Sequence, residues 1–128
     1  MAKFLTAAWM DALTEKINAH DGFKSAIASV DLTLQFETSD APEGTEAVYH
    51  IAIADGTATA APGPAEDADA TIGSTYETAV AMSKGDLNTQ MAFMTGKLKV
   101  GGNMAKLMMN QAMLGQYAEA AEGLEVEY

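Results

Sequence analysis

The chain has 128 residues, 48% of them hydrophobic and 20% charged, with eighteen acidic residues against seven lysines, no arginine and a net charge of −11. That length fits one domain, residues 1–128, built on one sizeable core, and the composition is that of an ordinary globular protein. The lack of cysteine excludes disulfides, thiolate metal sites and thiol nucleophiles, and the acidity argues against nucleic acid, whose phosphates demand a positive footprint.

Residues 3–20 carry Leu5, Trp9, Ala12, Leu13 and Ile17 at helical spacing, with Lys3, Asp11 and Glu15 on other faces. An amphipathic first helix is predicted there, and its charges make it neither a signal peptide nor a membrane span. No other run reaches the ~20 apolar residues that a span needs, so a cytoplasmic protein is expected. Gly22 is expected to punctuate the helix, with Phe23, Ala26 and Ile27 forming one further turn.

From Val30 to Glu37 the alternation of Val30, Leu32, Leu34 and Phe36 with polar residues predicts a strand with one buried and one wet face. Ser39–Gly44 reads as a turn, and residues 48–54 as a second strand with Tyr49, Ile51 and Ile53 on one side. Asp55-Gly56 is a tight-turn signal, after which residues 57–61 complete a three-strand meander that ends at Pro62-Gly63-Pro64.

Residues 68–72 form a fourth strand in this reading, and Ser74 or Thr75 caps a helix that runs to Gly85. A short helix over residues 87–95 leads to a fifth strand at Lys97–Val100, with Leu98 and Val100 inward and Lys97 and Lys99 outward. Asn103 is expected to cap a final helix through about Ala121, followed by a frayed tail at 122–128. In that helix Met104, Ala105, Met108, Met109, Ala112 and Met113 would cover an arc of roughly 180°, leaving a narrow polar strip with Lys106, Asn110 and Tyr117. Seven of the nine methionines (Met82, Met91, Met94, Met104, Met108, Met109 and Met113) fall after residue 80. Methionine fills irregular apolar space without fixing its shape, which suggests a pliable cavity for an apolar ligand.

Ala92-Phe93, Gly96-Lys97-Leu98-Lys99-Val100 and Gly102-Asn103-Met104 closely resemble the motif of the sterol carrier protein type 2 domain family. The order of elements agrees over roughly residues 5–118, including Ala68-Asp69-Ala70-Thr71-Ile72 and Gly85-Asp86-Leu87-Asn88. The resemblance implies an α+β fold in which a five-stranded, mainly antiparallel sheet covered by helices encloses an apolar tunnel. It implies non-catalytic binding and carriage of a fatty acyl, phospholipid or sterol- or isoprenoid-like lipid. On this basis the candidate lining residues are Met82, Gln90, Met91, Phe93, Met94, Leu98, Val100, Met104, Leu107, Met108 and Met113, with Leu32, Leu34, Phe36 and Ile51 as sheet wall or core. Gln90 matches a glutamine of the motif and would place an amide near a lipid head group. For each residue a packed core position is the alternative.

Lys97, Lys99 and Lys106 bring three of the seven positive charges within ten residues and suggest transient membrane contact, a solvated strand face being the alternative. The ending Leu124-Glu125-Val126-Glu127-Tyr128 has no peroxisomal address, and no thiolase or dehydrogenase segment accompanies the domain. A stand-alone, prokaryotic-looking member is therefore expected. No cofactor motif, catalytic triad or metal-ligand spacing occurs: His20 and His50 stand apart, and Asp67 and Asp69 read as solvated acids. An enzyme is disfavoured. A second reading is an accessory protein that presents a lipid intermediate, such as a quinone precursor, to a partner enzyme of lipid metabolism.

Overall fold

The structure is a computed structural model. It describes residues 2–84, 86–87, 89–121 and 124–128, without the side chains of Thr89, Gln90, Phe93, Gln111, Ala112, Leu114 and Ala118. A two-residue strand β1 (Ala2–Lys3) precedes α1 (Ala7–Asn18) and α2 (Asp21–Ile27). The meander follows as β2 (Leu32–Ser39), β3 (Val48–Ala54) and β4 (Thr57–Pro62), then β5 (Ala70–Thr75) and α3 (Tyr76–Ser83). The motif region forms α4 (Thr89–Met94), β6 (Lys99–Gly102) and α5 (Met104–Met109), and α6 (Gln111–Ala121) and β7 (Val126–Glu127) complete the chain.

The main sheet has the order β4-β3-β2-β5-β6. Its β2–β3, β3–β4 and β5–β6 pairs are antiparallel and its β2–β5 pair is parallel, so the sheet is mixed and the fold is α+β, as expected. Asp55 and Gly56 both take positive φ, 54° and 74°, at the two central positions of the β3–β4 hairpin. That is the geometry whose twist matches the flanking strands.

Side-chain alternation sets the core. Leu32 and Leu34 of β2, Tyr49, Ile51 and Ile53 of β3, Ala58 and Ala60 of β4 and Ala70 and Ile72 of β5 are all buried. They meet Trp9, Met10, Leu13 and Ile17 of α1 and Phe23 and Ile27 of α2 in one cluster. The sheet edge at β4 is closed by side chains rather than by another strand. Asn18 donates through Nδ2 to the Ala58 carbonyl at 2.7 Å and accepts the Ala58 N–H through Oδ1 at 3.0 Å, while Thr14 Oγ1 accepts the Ala60 N–H at 2.9 Å. An edge strand's unpaired backbone groups invite association with other chains, and this cover removes that exposure.

Several boundaries differ from the periodicity reading, each for a local reason. Thr6 accepts the Trp9 N–H and starts α1 at Ala7, leaving Leu5 outside the helix, buried and at φ 60°. Gly22 does not end the first helix: α1 stops at Asn18, and the His20 ring accepts the Phe23 N–H to cap α2, in whose first turn Gly22 lies. The Val30 N–H is taken by the Ile27 carbonyl, so β2 begins at Leu32 rather than at residue 30. Thr75 caps α3, as the sequence allows.

Two larger corrections concern the end of the chain. The final helix is not continuous, because Asn110 (φ −110°, ψ 26°) breaks it and bonds back through Nδ2 to the Lys106 carbonyl. Asparagine competes in this way with helical backbone pairing. Nor are the described tail residues, 124–128, frayed: β7 pairs in parallel with β1, and the Phe4 N–H reaches the Glu127 carbonyl at 2.8 Å. The Tyr128 ring lies 5.4 Å from that of Phe4, its hydroxyl is 2.7 Å from Ser83 Oγ, and Lys84 Nζ sits 4.9 Å from its ring centre.

Candidate functional site

The motif residues form an arm whose strand, β6, is the outer strand of the main sheet. The Ala92 carbonyl accepts both the Lys97 and the Leu98 N–H, at 2.8 and 3.3 Å, which ties the end of α4 to the strand that follows. This delays the strand to Lys99, two residues beyond the predicted start, and carries it through Gly101 and Gly102, which pair with Thr71 and Ala70. Gly102 then turns the chain at φ 88° with Asp69 close by. The Asn103 N–H donates to the Asp69 carbonyl at 2.7 Å, and the Asn103 side chain caps α5 by accepting the Lys106 N–H.

Asp69 is the clasp of this arrangement. Its carboxylate accepts the Thr33 N–H at 2.8 Å and lies 3.2 Å from Lys106 Nζ, joining β2, β5 and α5. The Thr33 hydrogen bond, followed by the Lys106 ammonium, holds the acid below its usual value despite some opposing desolvation. Asp69 is therefore engaged rather than simply solvated, and Lys106 is committed to it. Lys97 and Lys99 are exposed and form no ion pair among the described residues. The clasp had no local signal in the sequence, since Asp69 and Thr33 stand 36 residues apart.

The interior behind the arm is apolar. No buried polar or charged residue occurs among the described residues, and Trp9 Nε1 is the one buried side-chain polar atom among them without a hydrogen-bond partner. Trp9 stands edge-on to Tyr49 at 5.5 Å, and Tyr49 stacks on Phe36 at 4.8 Å. Burial pushes the Tyr49 and Tyr117 phenols well above their ordinary range, and a charge on Tyr117 would push Tyr49 further. Both remain neutral at physiological pH. His50 donates from Nδ1 to the Gly63 carbonyl at 2.9 Å, and no group of three metal-ligating side chains forms among the described residues.

The candidate lining residues divide into two sets. Leu98, Leu107 and Met113 are buried in the core cluster, and Met82 and Val100 pack partly buried against it. Met91 (55% exposed), Met94 (78%), Met104 (38%) and Met108 (56%) face outward, as does Met109 (84%). The half-buried helix inferred from the 180° arc is thus corrected: the break at Asn110 separates Met113 of α6 from the methionines of α5, which project to the surface. The side chains of Gln90 and Phe93 lie outside the described residues. Two hollows, of about 510 and 560 Å³, are open grooves along α1. The first is lined by residues such as Ala12, Lys16 and Leu124, the second by Thr14, Asn18 and Thr59. Neither groove is lined by any of the candidate residues.

The family model of the SCP-2 sterol transfer family matches residues 7–115. The chain belongs to that family. Sterol carrier protein 2 of Rattus norvegicus is 35% identical over 78 residues, a match that covers 61% of this chain and 14% of the rat protein. The chain thus spans a small part of the length of the curated relatives it matches. A crystal structure of sterol carrier protein 2 superposes with a TM-score of 0.80 at 22% identity, covering 96% of this chain and all of that one. The UbiJ-SCP2 ubiquinone synthesis protein shares the fold at a TM-score of 0.60 and 18% identity, covering 89% of this chain and 90% of its own. Membership implies lipid binding or transfer, and among the described residues no helix is long and apolar enough to cross a membrane.

Proposed function

We propose that this chain binds an apolar lipid (fatty acyl, phospholipid or sterol- or isoprenoid-like) behind the α4–β6–α5 arm and carries or presents it in the cytoplasm, as a binding protein and not as a catalyst. The observation that carries this reading is the interior itself, which offers apolar surface and no buried charge among the described residues. An alkyl chain gains about 0.8 kcal/mol for each methylene it buries and asks for no hydrogen bond. Leu98, Val100, Leu107, Met82 and Met113 supply that surface, and Met91, Met94, Met104 and Met108 stand at its rim with Gln90 and Phe93 in the same segment. Methionine side chains change shape at little cost, so a ligand can enter without the backbone being rebuilt.

The test offers delipidated protein fluorescent fatty acid, sterol and isoprenoid quinone analogues in turn. Saturable one-to-one binding of at least one, weakened when Met113 is replaced by aspartate in a variant that still folds, supports the reading. No uptake of any analogue refutes it. A second reading is favoured by the fold shared with the UbiJ-SCP2 ubiquinone synthesis protein: the chain holds a quinone-precursor-like lipid for a partner enzyme. Stable co-purification with such an enzyme in the presence of lipid would distinguish the scaffold from a free carrier.

A further inference from the structure

We infer that the α4–β6–α5 arm is a docking surface for an anionic lipid bilayer. None of the eighteen acidic residues falls within residues 87–118, whereas three of the seven lysines do, so a protein of net charge −11 has a cationic arm on an acidic body. Lys106 is held by Asp69, which leaves Lys97 and Lys99 presented to solvent. The same arm exposes Met94, Met104 and Met109, at 78%, 38% and 84%, with Met91 and Met108 more than half exposed. Apart from Tyr128, the large apolar side chains exposed among the described residues all belong to this arm.

The arm is held in place rather than trailing. Ala92 fastens α4 to β6, Asp69 and Asn103 fasten α5, and β6 is the last strand of the sheet, with no further strand outside it among the described residues. Exposed thioethers on α4 and α5, with Lys97 and Lys99 in the segment that joins those helices, combine the apolar and cationic groups that suit the boundary between headgroups and acyl chains. A bilayer also suits the composition better than a protein partner does. Protein interfaces are anchored by tryptophan, tyrosine and arginine, and residues 89–109 of the arm contain none of the three, whereas unbranched thioethers adapt to a fluid surface. The acidic remainder would be repelled by the same membrane, which turns the molecule arm-first. The inference rests on the lipid-binding reading for its purpose, because docking here brings the interior to the membrane where lipid is exchanged.

Flotation with phosphatidylcholine vesicles, with and without phosphatidylglycerol, tests it at low and high salt. The expected result is association that requires the anionic lipid and weakens at high salt. It should fall about tenfold or more in the double variant Lys97→Glu/Lys99→Glu, and likewise in Met94→Ser/Met104→Ser/Met109→Ser. Thermal melts of both variants check folding, since all five side chains are exposed. Absence of flotation by the parent protein overturns the inference, as does unchanged flotation by both folded variants or dependence on Lys16 and Lys24 instead. Uptake of a detergent-dispersed fatty acid is measured alongside. Uptake without flotation refutes docking and leaves lipid binding standing, whereas flotation without uptake refutes the carrier reading alone.

Discussion

Replacing Gly102 by alanine should damage the arm more than any other single methyl group added to it. Gly102 adopts φ 88°, and a Cβ there would stand 2.6 Å from the Asp69 carbonyl oxygen and 2.9 Å from Ala70 Cα. Both are backbone atoms that cannot rotate away. The left-handed conformation costs a residue with a Cβ about 1–2 kcal/mol, and relieving such an overlap costs about 1–3 kcal/mol more. The sum, about 2–5 kcal/mol, is a large share of the about 5–15 kcal/mol that holds a domain folded. Gly96 supplies the control, with φ 77° and nothing within 4 Å of the position an added methyl would take, so only the conformational part should appear. Urea unfolding of the two variants, compared at equal slope, gives the difference directly. Equal losses in Gly96→Ala and Gly102→Ala would refute the close approach of β6 to Asp69. A larger loss at Gly102, accompanied by weaker lipid uptake, would tie the motif glycine to the positioning of α5.

Asn18→Ala should cost about 2–4 kcal/mol in urea unfolding, because it strips both hydrogen bonds from the buried Ala58 backbone; a loss below about 1 kcal/mol would mean that water takes over the edge. Asp69→Asn should remove the share of acid-side pH dependence of stability that Asp69 contributes: the folded carboxyl lies below its ordinary value of 3.8, so its contribution is present above that pH and disappears as the pH falls through the folded value. A parent and variant with parallel stability curves below neutral pH would contradict this. In spectrophotometric titration Tyr49 and Tyr117 should stay un-ionised as the pH passes 10.0, and their contribution to stability should decline above that pH because only the unfolded chain releases the protons readily. Ionisation of all four tyrosines in the still-folded protein near pH 10.0 would contradict their burial.

The meander was legible because its signals are local. Tyr49, Ile51 and Ile53 alternate with smaller or half-buried neighbours over a strand whose ends match the reading, and Asp55-Gly56 dictates the turn. Asn103 and Thr75 cap helices through atoms visible in their own side chains. Long-range pairings were not legible: Asp69 with Thr33 and Lys106, Asn18 with Ala58, and the terminal ribbon of β1 with β7 depend on where the fold brings distant segments. At the candidate site, periodicity identified an apolar face but could not say what covers it. Leu107 and Met109 are both apolar residues of α5, yet one is buried and the other is 84% exposed, because two positions apart they stand about 200° around the helix from each other.

The most direct test of lipid binding behind the arm is photo-crosslinking with a fatty acid that carries a diazirine near its methyl end, followed by mass spectrometry of the labelled peptides. Labels concentrated on Leu98, Val100, Leu107 and Met113, and suppressed by excess unlabelled fatty acid, are the expected result. Labels confined to Ala12, Ala19 and Leu124 in the groove along α1, with the interior untouched, would contradict the assignment.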